Sequence, residues 1–223
     1  NQVESYGLKG QTQTGTPSFT PGDASVPMDD SVPATFSNGQ NQLIVANQGT
    51  YTVTPEGVIT FTPEADFVGT ADPVTIIRRD VNGTPAEGKY VPHVLDLVAE
   101  NATSEDIQGK VQTGKPSAKD QATGKALTPS AERPARLLDP ATQQPVANDQ
   151  LEAKDADGKV VGTYVLDRLT GQVTFTPNKD FVGTPLPAQV QFTNDQNVAV
   201  VATYTPTVTP VTPTGNQVES YGN

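Results

Sequence analysis

Cysteine and tryptophan are absent from the 223 residues, and histidine and methionine occur once each. No disulfide framework is possible, and this sets the chain apart from small secreted modules that depend on one. A cysteine nucleophile is excluded, and zinc lacks the ligands for a closed site. Basic residues are scarce, at 14 Lys and Arg against 25 Asp and Glu, for a net charge of −11. That balance argues against nucleic acid, whose binders carry basic patches, and against anionic membrane surfaces. No run of 18 apolar residues is present, so no segment reads as a membrane-spanning helix. Nor does a signal peptide open the sequence, and Asn1 reads as the start of an excised segment. Aromatic residues make up only 6%, few for an acid-and-aromatic cleft of the kind that hydrolyses glycans.

What the chain has is Thr, Val, Gly and Pro in the pattern of short strands and tight turns, with Gly 19 and Pro 20. It also has an internal repeat. The stretch Gly49–Gly69 recurs as Gly162–Gly183, so the chain is a tandem array. In the first copy Tyr51 and Val53 alternate with threonines, as in a half-buried strand. Pro55, Glu56 and Gly57 read as a turn, and Val58–Thr62 as the returning strand. Ile59 and Phe61 correspond to Val173 and Phe175, apolar in both copies and therefore predicted to face inward. Val58 corresponds to Gln172 and should face outward. Pro63 and Pro177 close that strand. Asp66-Phe67-Val68-Gly69 and Asp180-Phe181-Val182-Gly183 are identical and read as a tight corner, the Phe plugging the core. A further strand pair follows: Val74–Arg78 and Ala188–Phe192, turns at Asp80–Gly83 and Asn194–Asn197, then strands holding Tyr90 and Tyr204, whose hydroxyls should lie near the rim.

Upstream, Gly10, Gln13, Thr14, Gly15 and Pro17 match Gly109, Gln112, Thr113, Gly114 and Pro116, so each repeat begins before its strand-rich part. Phe19, Val26, Met28 and Val32 suggest short strands broken by turns, and Leu43–Val45 a strand. Leu95–Gly109 reads as the connector between bodies. Gln13 and Gln112 lie 99 apart but Phe61 and Phe175 lie 114 apart. The extra residues fall mostly between Ser117 and Gly162, and Asp120–Arg133 there reads as a loop with a mobile tip. Thr205–Gly215 alternates Pro with β-branched residues and reads as a stiff spacer. Asn216–Gly222 then repeats Asn1–Gly7 letter for letter, as if a next repeat begins.

Candidate chemistry is thin. His93, the lone histidine, matches Thr207 and reads as a surface residue. Of the 25 acids only Asp66 and Asp180 recur in both copies. Asp155-Ala156-Asp157-Gly158 starts like a calcium loop but lacks the closing Glu, and so reads as a hairpin turn. Asn82 and Asn101 open glycosylation-type sequons. No catalytic, cofactor-binding or metal-binding residue is assigned, no cofactor is implied, and the chain does not read as an enzyme.

The doubled Thr-Phe-Thr-Pro to Phe-Val-Gly-Thr core, the upstream Gly-Gln-Thr-Gln-Thr-Gly-Thr-Pro-Ser-Phe run and the Thr/Pro tail resemble the CshA-type fibril repeat of streptococcal cell-wall-anchored surface adhesins. The likeness covers nearly the whole chain as two tandem repeats. The second copy departs from it by carrying Ala131–Pro140 where the first has Asp29–Phe36. Cys-free wall modules sometimes hold a lysine isopeptide cross-link, but the first body's lysines are Lys9 and Lys89, and Lys89 matches Thr203, so no repeated site is visible.

The reading is all-β: two tandem β-sandwich-like modules of about seven short, mostly antiparallel strands each, arranged end to end. Residues 1–97 form the first fibril repeat, 98–208 the second with a longer N-terminal insertion, and 209–223 a Thr/Pro-rich linker and the start of a next repeat. The resemblance implies a structural stalk segment of a bacterial surface fibril, extracellular, at the cell surface and wall-anchored through regions outside this segment. Its partners would be neighbouring repeats of the same polypeptide, with host extracellular matrix or other bacteria met through other regions, and no membrane insertion. The segment itself would be a monomer. The alternative is an adhesive module that itself binds host matrix protein, glycan or another bacterium.

Overall fold

A computed structural model describes residues 2–223. Backbone contacts divide the chain into two compact units. One ends at Leu97 and takes in Asp120–Lys125; the other holds Val98–Lys119 and continues from Ala126.

The first unit is built from β1 (Gln2–Leu8), β2 (Gln13–Gly15), β3 (Thr35–Phe36), β4 (Gln42–Val45), β5 (Gly49–Val53), β6 (Ile59–Pro63), β7 (Gly69–Thr70), β8 (Val74–Arg79) and β9 (Pro85–Leu95). One sheet runs β1-β9-β8-β3, with β7 also on β9; the other runs β2-β6-β5-β4. Seven strands have three residues or more. β3 and β7 have two each, too short for any alternation to show in the sequence. Between Gly15 and Thr35 the expected short strands are absent. That run is irregular, with isolated bridges at Asp23–Val26 and Met28–Asp80, because its prolines and Asx turns leave few donors for a ladder.

The core lies between the two sheets. Tyr51, Val53, Ile59 and Phe61 come from one sheet, and Phe36, Val74, Ile76, Tyr90 and Val94 from the other. Strands β5 and β6 alternate as the sequence predicts, with Tyr51, Val53, Ile59 and Phe61 buried and Thr52 and Thr62 exposed. Val58 faces out. Gly57 turns the hairpin at φ 95°, and Thr54 accepts the Val58 amide through its hydroxyl. Phe67 and Phe181 pack against their cores from the rim and are half-buried, so they cap the cores rather than plug them.

The second unit repeats this plan with β11 (Ala102–Ile107), β12 (Gln112–Gly114), β14 (Arg136–Leu137), β15 (Gln150–Lys154), β16 (Val160–Leu166), β17 (Val173–Pro177), β18 (Ala188–Thr193) and β19 (Ala199–Thr209), in the sheets β11-β19-β18-β14 and β12-β17-β16-β15. A separate two-stranded sheet pairs β10 (Leu97–Glu100) with β13 (Ser117–Asp120). Three expectations change here. The supposed connector Leu95–Gly109 is mostly strand, and β11 is the first strand of its module. The insertion is not loop from its start, since Ser117–Asp120 forms β13 and the turn after it is closed by Gly124 donating to the Asp120 carbonyl. The spacer begins only at Pro210, because Thr205–Thr209 still pair inside β19. Despite the unlike sequence around it, Leu137 on β14 pairs with Val190 as Phe36 on β3 pairs with Ile76.

In each two-sheet body one pairing is parallel and the others are antiparallel. β1 runs parallel to β9 over seven residue pairs, Gln2 with Lys89 to Leu8 with Leu95. β11 runs parallel to β19 over six, Ala102 with Tyr204 to Ile107 with Thr209. The first and last strands of a module are thus neighbours pointing the same way. Its chain enters at one end of that ladder and leaves at the other.

Candidate functional site: a polar clasp on the terminal strands

Along β1, inward positions alternate with outward ones, which turns Val3, Ser5 and Gly7 towards the body. Ser5 donates its hydroxyl proton to Gln13 Oε1 on β2 at 2.5 Å and lies 2.6 Å from Tyr90 Oη on β9. The serine proton is already committed, so the phenol is the donor in that second bond. Gln13 Nε2 in turn donates to the His93 carbonyl on β9 at 3.0 Å. One glutamine therefore ties the first strand, the last strand and the opposite sheet together. The second module repeats the arrangement: Ser104 to Gln112 Oε1 at 2.6 Å, Ser104 to Tyr204 Oη at 2.5 Å, and Gln112 Nε2 to the Thr207 carbonyl at 3.0 Å.

Gln13 and Gln112, at 6% and 5% exposure, are the buried polar side chains among the described residues. A buried amide is costly unless its donor and acceptor are both used, and here both are. Burial pushes the Tyr90 and Tyr204 phenols above the usual tyrosine range, against the lowering effect of the serine hydrogen bond, so both remain protonated donors at neutral pH. The tyrosine rings cross the backbone at Gly15 and Gly114. A Cβ there would lie 2.4 Å from the Tyr90 ring and 2.2 Å from the Tyr204 ring, which is why glycine follows Gln-Thr in both repeats.

The rims of the two clasps differ. His93 is not the surface residue expected from its mismatch with Thr207. Its side chain is 18% exposed and stacks on Tyr6, with centroids 4.4 Å apart and planes 8° apart. Its ring nitrogens meet Glu4 Oε1 at 3.1 Å and Thr70 Oγ1 at 2.9 Å. In the second module the corresponding contact is a single hydroxyl pair, Thr184 with Thr207, at 2.9 Å.

The other residues singled out by sequence are not brought together. Asp66 and Asp180 are exposed at their corners, and Lys9 and Lys89 are exposed. Asp155 caps its own turn by accepting the Asp157 and Lys159 amides at 2.9 Å. Asn101 Oδ1 accepts the Thr203 amide. Among the described residues no group of three or more His, Cys, Asp or Glu is placed to hold a metal ion, and no helix is long and apolar enough to cross a membrane.

A family model described as the surface adhesin CshA repetitive domain matches residues 1–94 and again residues 95–208. The chain belongs to this family. Among solved structures, repeat domain 13 of the fibrillar adhesin CshA from Streptococcus gordonii is 49% identical, covering 32% of this chain and 91% of that one, with a TM-score of 0.19. Drosophila N-cadherin EC1-3 is 16% identical over 94% of this chain and 65% of its own, with a TM-score of 0.32. The N-terminal Ig1-2 module of the Drosophila receptor protein tyrosine phosphatase DLAR is 12% identical over 94% and 95%, with a TM-score of 0.30. A comparison with curated proteins gave no match.

Sequence reasoning passed over Ser5, Gln13, Ser104 and Gln112 as CshA-repeat residues of interest, although Gln13 and Gln112 were aligned. Short polar side chains in a polar stretch read as solvent-facing. The usable signal was spacing: both the Ser pair and the Gln pair are offset by 99, and the Tyr90–Tyr204 pair by 114.

Proposed function

We propose that these repeats are load-bearing stalk modules of a surface fibril, outside the cell and attached to its wall through other parts of the polypeptide, with neighbouring repeats as their partners and no catalytic role. Residues 1–97 and 98–209 are the two modules on this reading, the second reaching one residue past the expected 208 because Thr209 still pairs in β19. Residues 210–223 are a linker and the first strand of a following one.

The parallel ladder between first and last strands carries the reading. Tension applied through the chain pulls β1 and β9 in opposite directions along their length. All the evenly spaced bonds of a parallel ladder are then loaded together, instead of one after another as when a hairpin is peeled from its open end. The clasp sits on that ladder, and its bonds add resistance to the same sliding motion. Forced unfolding is governed by the unfolding rate, so bonds that break early under load count more than their equilibrium share. The net charge of −11 keeps neighbouring fibrils apart.

Single-molecule force spectroscopy on the whole chain tests this. The expected trace has two all-or-none events, each releasing roughly 300 Å of chain, the contour of a module of this length. Ser5→Ala with Gln13→Leu should lower the force of one event and leave the other. A trace of many small steps, or an unchanged force in the double variant, would overturn the load-bearing role. Saturable binding of a host matrix protein by the same chain would favour the adhesive-module alternative.

A further inference from the structure

Two asparagines precede a glycine, Asn38 and Asn82. Both stand in exposed turns of the first module, and the two turns share a backbone. Gly39 has φ 79° and Gly83 φ 81°. Gly39 donates its amide to the Phe36 carbonyl and Gly83 to the Asp80 carbonyl, each at 2.9 Å. The side chains differ. Asn38 is held at both ends of its amide, with Oδ1 accepting from the Gln40 amide at 2.8 Å and Nδ2 donating to the Gln42 carbonyl at 3.3 Å. The Asn82 side chain makes no hydrogen bond among the described residues; its backbone amide alone is engaged, donating to Asp80 Oδ1 at 2.9 Å. Nothing lies within 4 Å of where a Cβ would stand on Gly83.

We propose that Asn82–Gly83 is a self-modifying site, at which the folded chain converts its own asparagine to aspartate and isoaspartate without an enzyme. The Gly83 nitrogen gives its proton to hydroxide and attacks Asn82 Cγ. A bond forms between them, the bond from Cγ to Nδ2 breaks, and the departing nitrogen takes a proton from water and leaves as ammonia. The five-membered imide that results takes up one water. Opening at Cγ leaves aspartate. Opening at the backbone carbonyl carbon leaves isoaspartate, with the chain now running through the side chain. The inference does not depend on the stalk role.

Three features select Asn82. Cγ must swing back onto the backbone, which a free side chain does readily, whereas Asn38 must first break two hydrogen bonds. Glycine has no Cβ to obstruct the ring closure. The bond on the Gly83 amide lies in an exposed turn, where local opening does not require the module to unfold. The equivalent turn of the second module keeps the hydrogen bonds and loses the chemistry. Asn194 Oδ1 accepts the Gln196 and Val198 amides as Asp80 Oδ1 accepts those of Asn82 and Thr84. But Gln196 stands in the place of Asn82, with its Oε1 holding Asn194 Nδ2 at 2.9 Å, and the left-handed position is Asn197 at φ 61° instead of glycine. A glutamine there would have to close a six-membered ring against a residue that carries a Cβ.

The change lands on the hairpin that delivers β9 to the clasp. Isoaspartate lengthens the backbone of the tip just beyond the pairing of Arg79 with Pro85 and loosens the turn bonds to Asp80. Either product places a new carboxylate close to Asp80 and takes the net charge one unit below −11. Arg79, whose Nη1 donates to the Gly83 carbonyl at 3.0 Å, is a cation already at the tip. Loss of ammonia makes the step one-way, so the first module carries a mark of age that the second does not.

The intact chain is kept in warm, mildly alkaline buffer beside a sample in urea, and both are digested and mapped by mass spectrometry, with an isoaspartyl methyltransferase to count the isoaspartate. In the folded chain Asn82 is expected to convert at least about tenfold faster than Asn38, because each hydrogen bond on the Asn38 amide holds it back severalfold. In urea the two rates should converge. Asn82→Gln should remove the folded-state signal, isoaspartate included, and Asn38→Gln should leave it. Equal rates in the folded chain, or a lead for Asn82 that persists in urea, would overturn the selection by side-chain bonds. Conversion of Asn82 in urea alone would overturn the site itself, since the Gly83 turn bond would then protect it. In the aged chain, amide exchange at Gly83 and Thr84 is expected to quicken at least about tenfold, and unchanged exchange would overturn the loosening of the tip.

Discussion

The two modules share a clasp and differ around it. Ser, Gln and Tyr occupy the same places with distances that agree within 0.1 Å. The glycine under the tyrosine ring is kept as well. The rim is not kept: a stacked His93, Tyr6, Glu4 and Thr70 in one module is a pair of threonines in the other. A second contrast lies deeper. Tyr51 and Tyr164 are equivalent and nearly fully buried, and their rings meet Tyr90 and Tyr204 edge-on at 6.3 Å in both. Yet Tyr164 Oη donates to the Leu186 carbonyl at 2.8 Å, while Tyr51 Oη has no partner among the described residues. The fold holds to its terminal-strand tie and lets other polar satisfactions vary.

The shared part should break hardest. Gly15→Ala and Gly114→Ala each drive a methyl into a buried tyrosine ring that already meets a second buried tyrosine edge-on, and each should cost about 2–3 kcal/mol in urea unfolding followed by per-module NMR signals. A cost below about 0.5 kcal/mol in either would mean the ring moves aside freely. Gln13→Leu and Gln112→Leu come next. Each leaves a serine hydroxyl and a backbone carbonyl short of a partner, for an expected loss of about 1–3 kcal/mol. Equal losses in the two modules would mark the clasp as one device used twice, and unequal losses would tie it to its rim.

The contrast at the deep tyrosines predicts opposite outcomes for one substitution. Tyr164→Phe should cost about 1 kcal/mol, because it orphans the Leu186 carbonyl, whereas Tyr51→Phe should be neutral or slightly stabilising, because it removes a buried hydroxyl that makes no bond. Denaturant midpoints of the two variants decide this, and a clear loss in Tyr51→Phe would show a partner for that hydroxyl. The smallest effect belongs to His93→Thr, which gives the first module the residue of the second. Losing one stacking contact and a partly exposed pair with Glu4 should cost within roughly 1 kcal/mol. A larger loss would make that rim part of the lock.

Local strands were legible because alternation is a local signal. Tyr51, Val53, Ile59 and Phe61 announce β5 and β6, and the duplicate copy corrects Val58 to an outward position. The clasp was not legible, because Ser5, Gln13 and Tyr90 come together through the pairing of Gln2–Leu8 with Lys89–Leu95, and no window of neighbouring residues contains both. The same distance hid β11, whose Ala-Thr-Ser-Glu-Asp reads as an acidic connector until β19 is placed beside it. β14 was hidden for another reason: two residues show no period, and Leu137 shares only its hydrophobicity with Phe36.

The ladder between terminal strands also sets an order of events when such a chain is made. Gln2 waits for Lys89, so a module emerging residue by residue has its hairpins available well before its first strand has anything to pair with. Long-range closure of this kind is the slow step in β proteins. Until it happens, the nascent segment presents an unpaired edge, which is the species most open to wrong partners. Each repeat is therefore completed by its last eleven residues, and a chain interrupted just short of them would hold most of a core with its opening strand still loose.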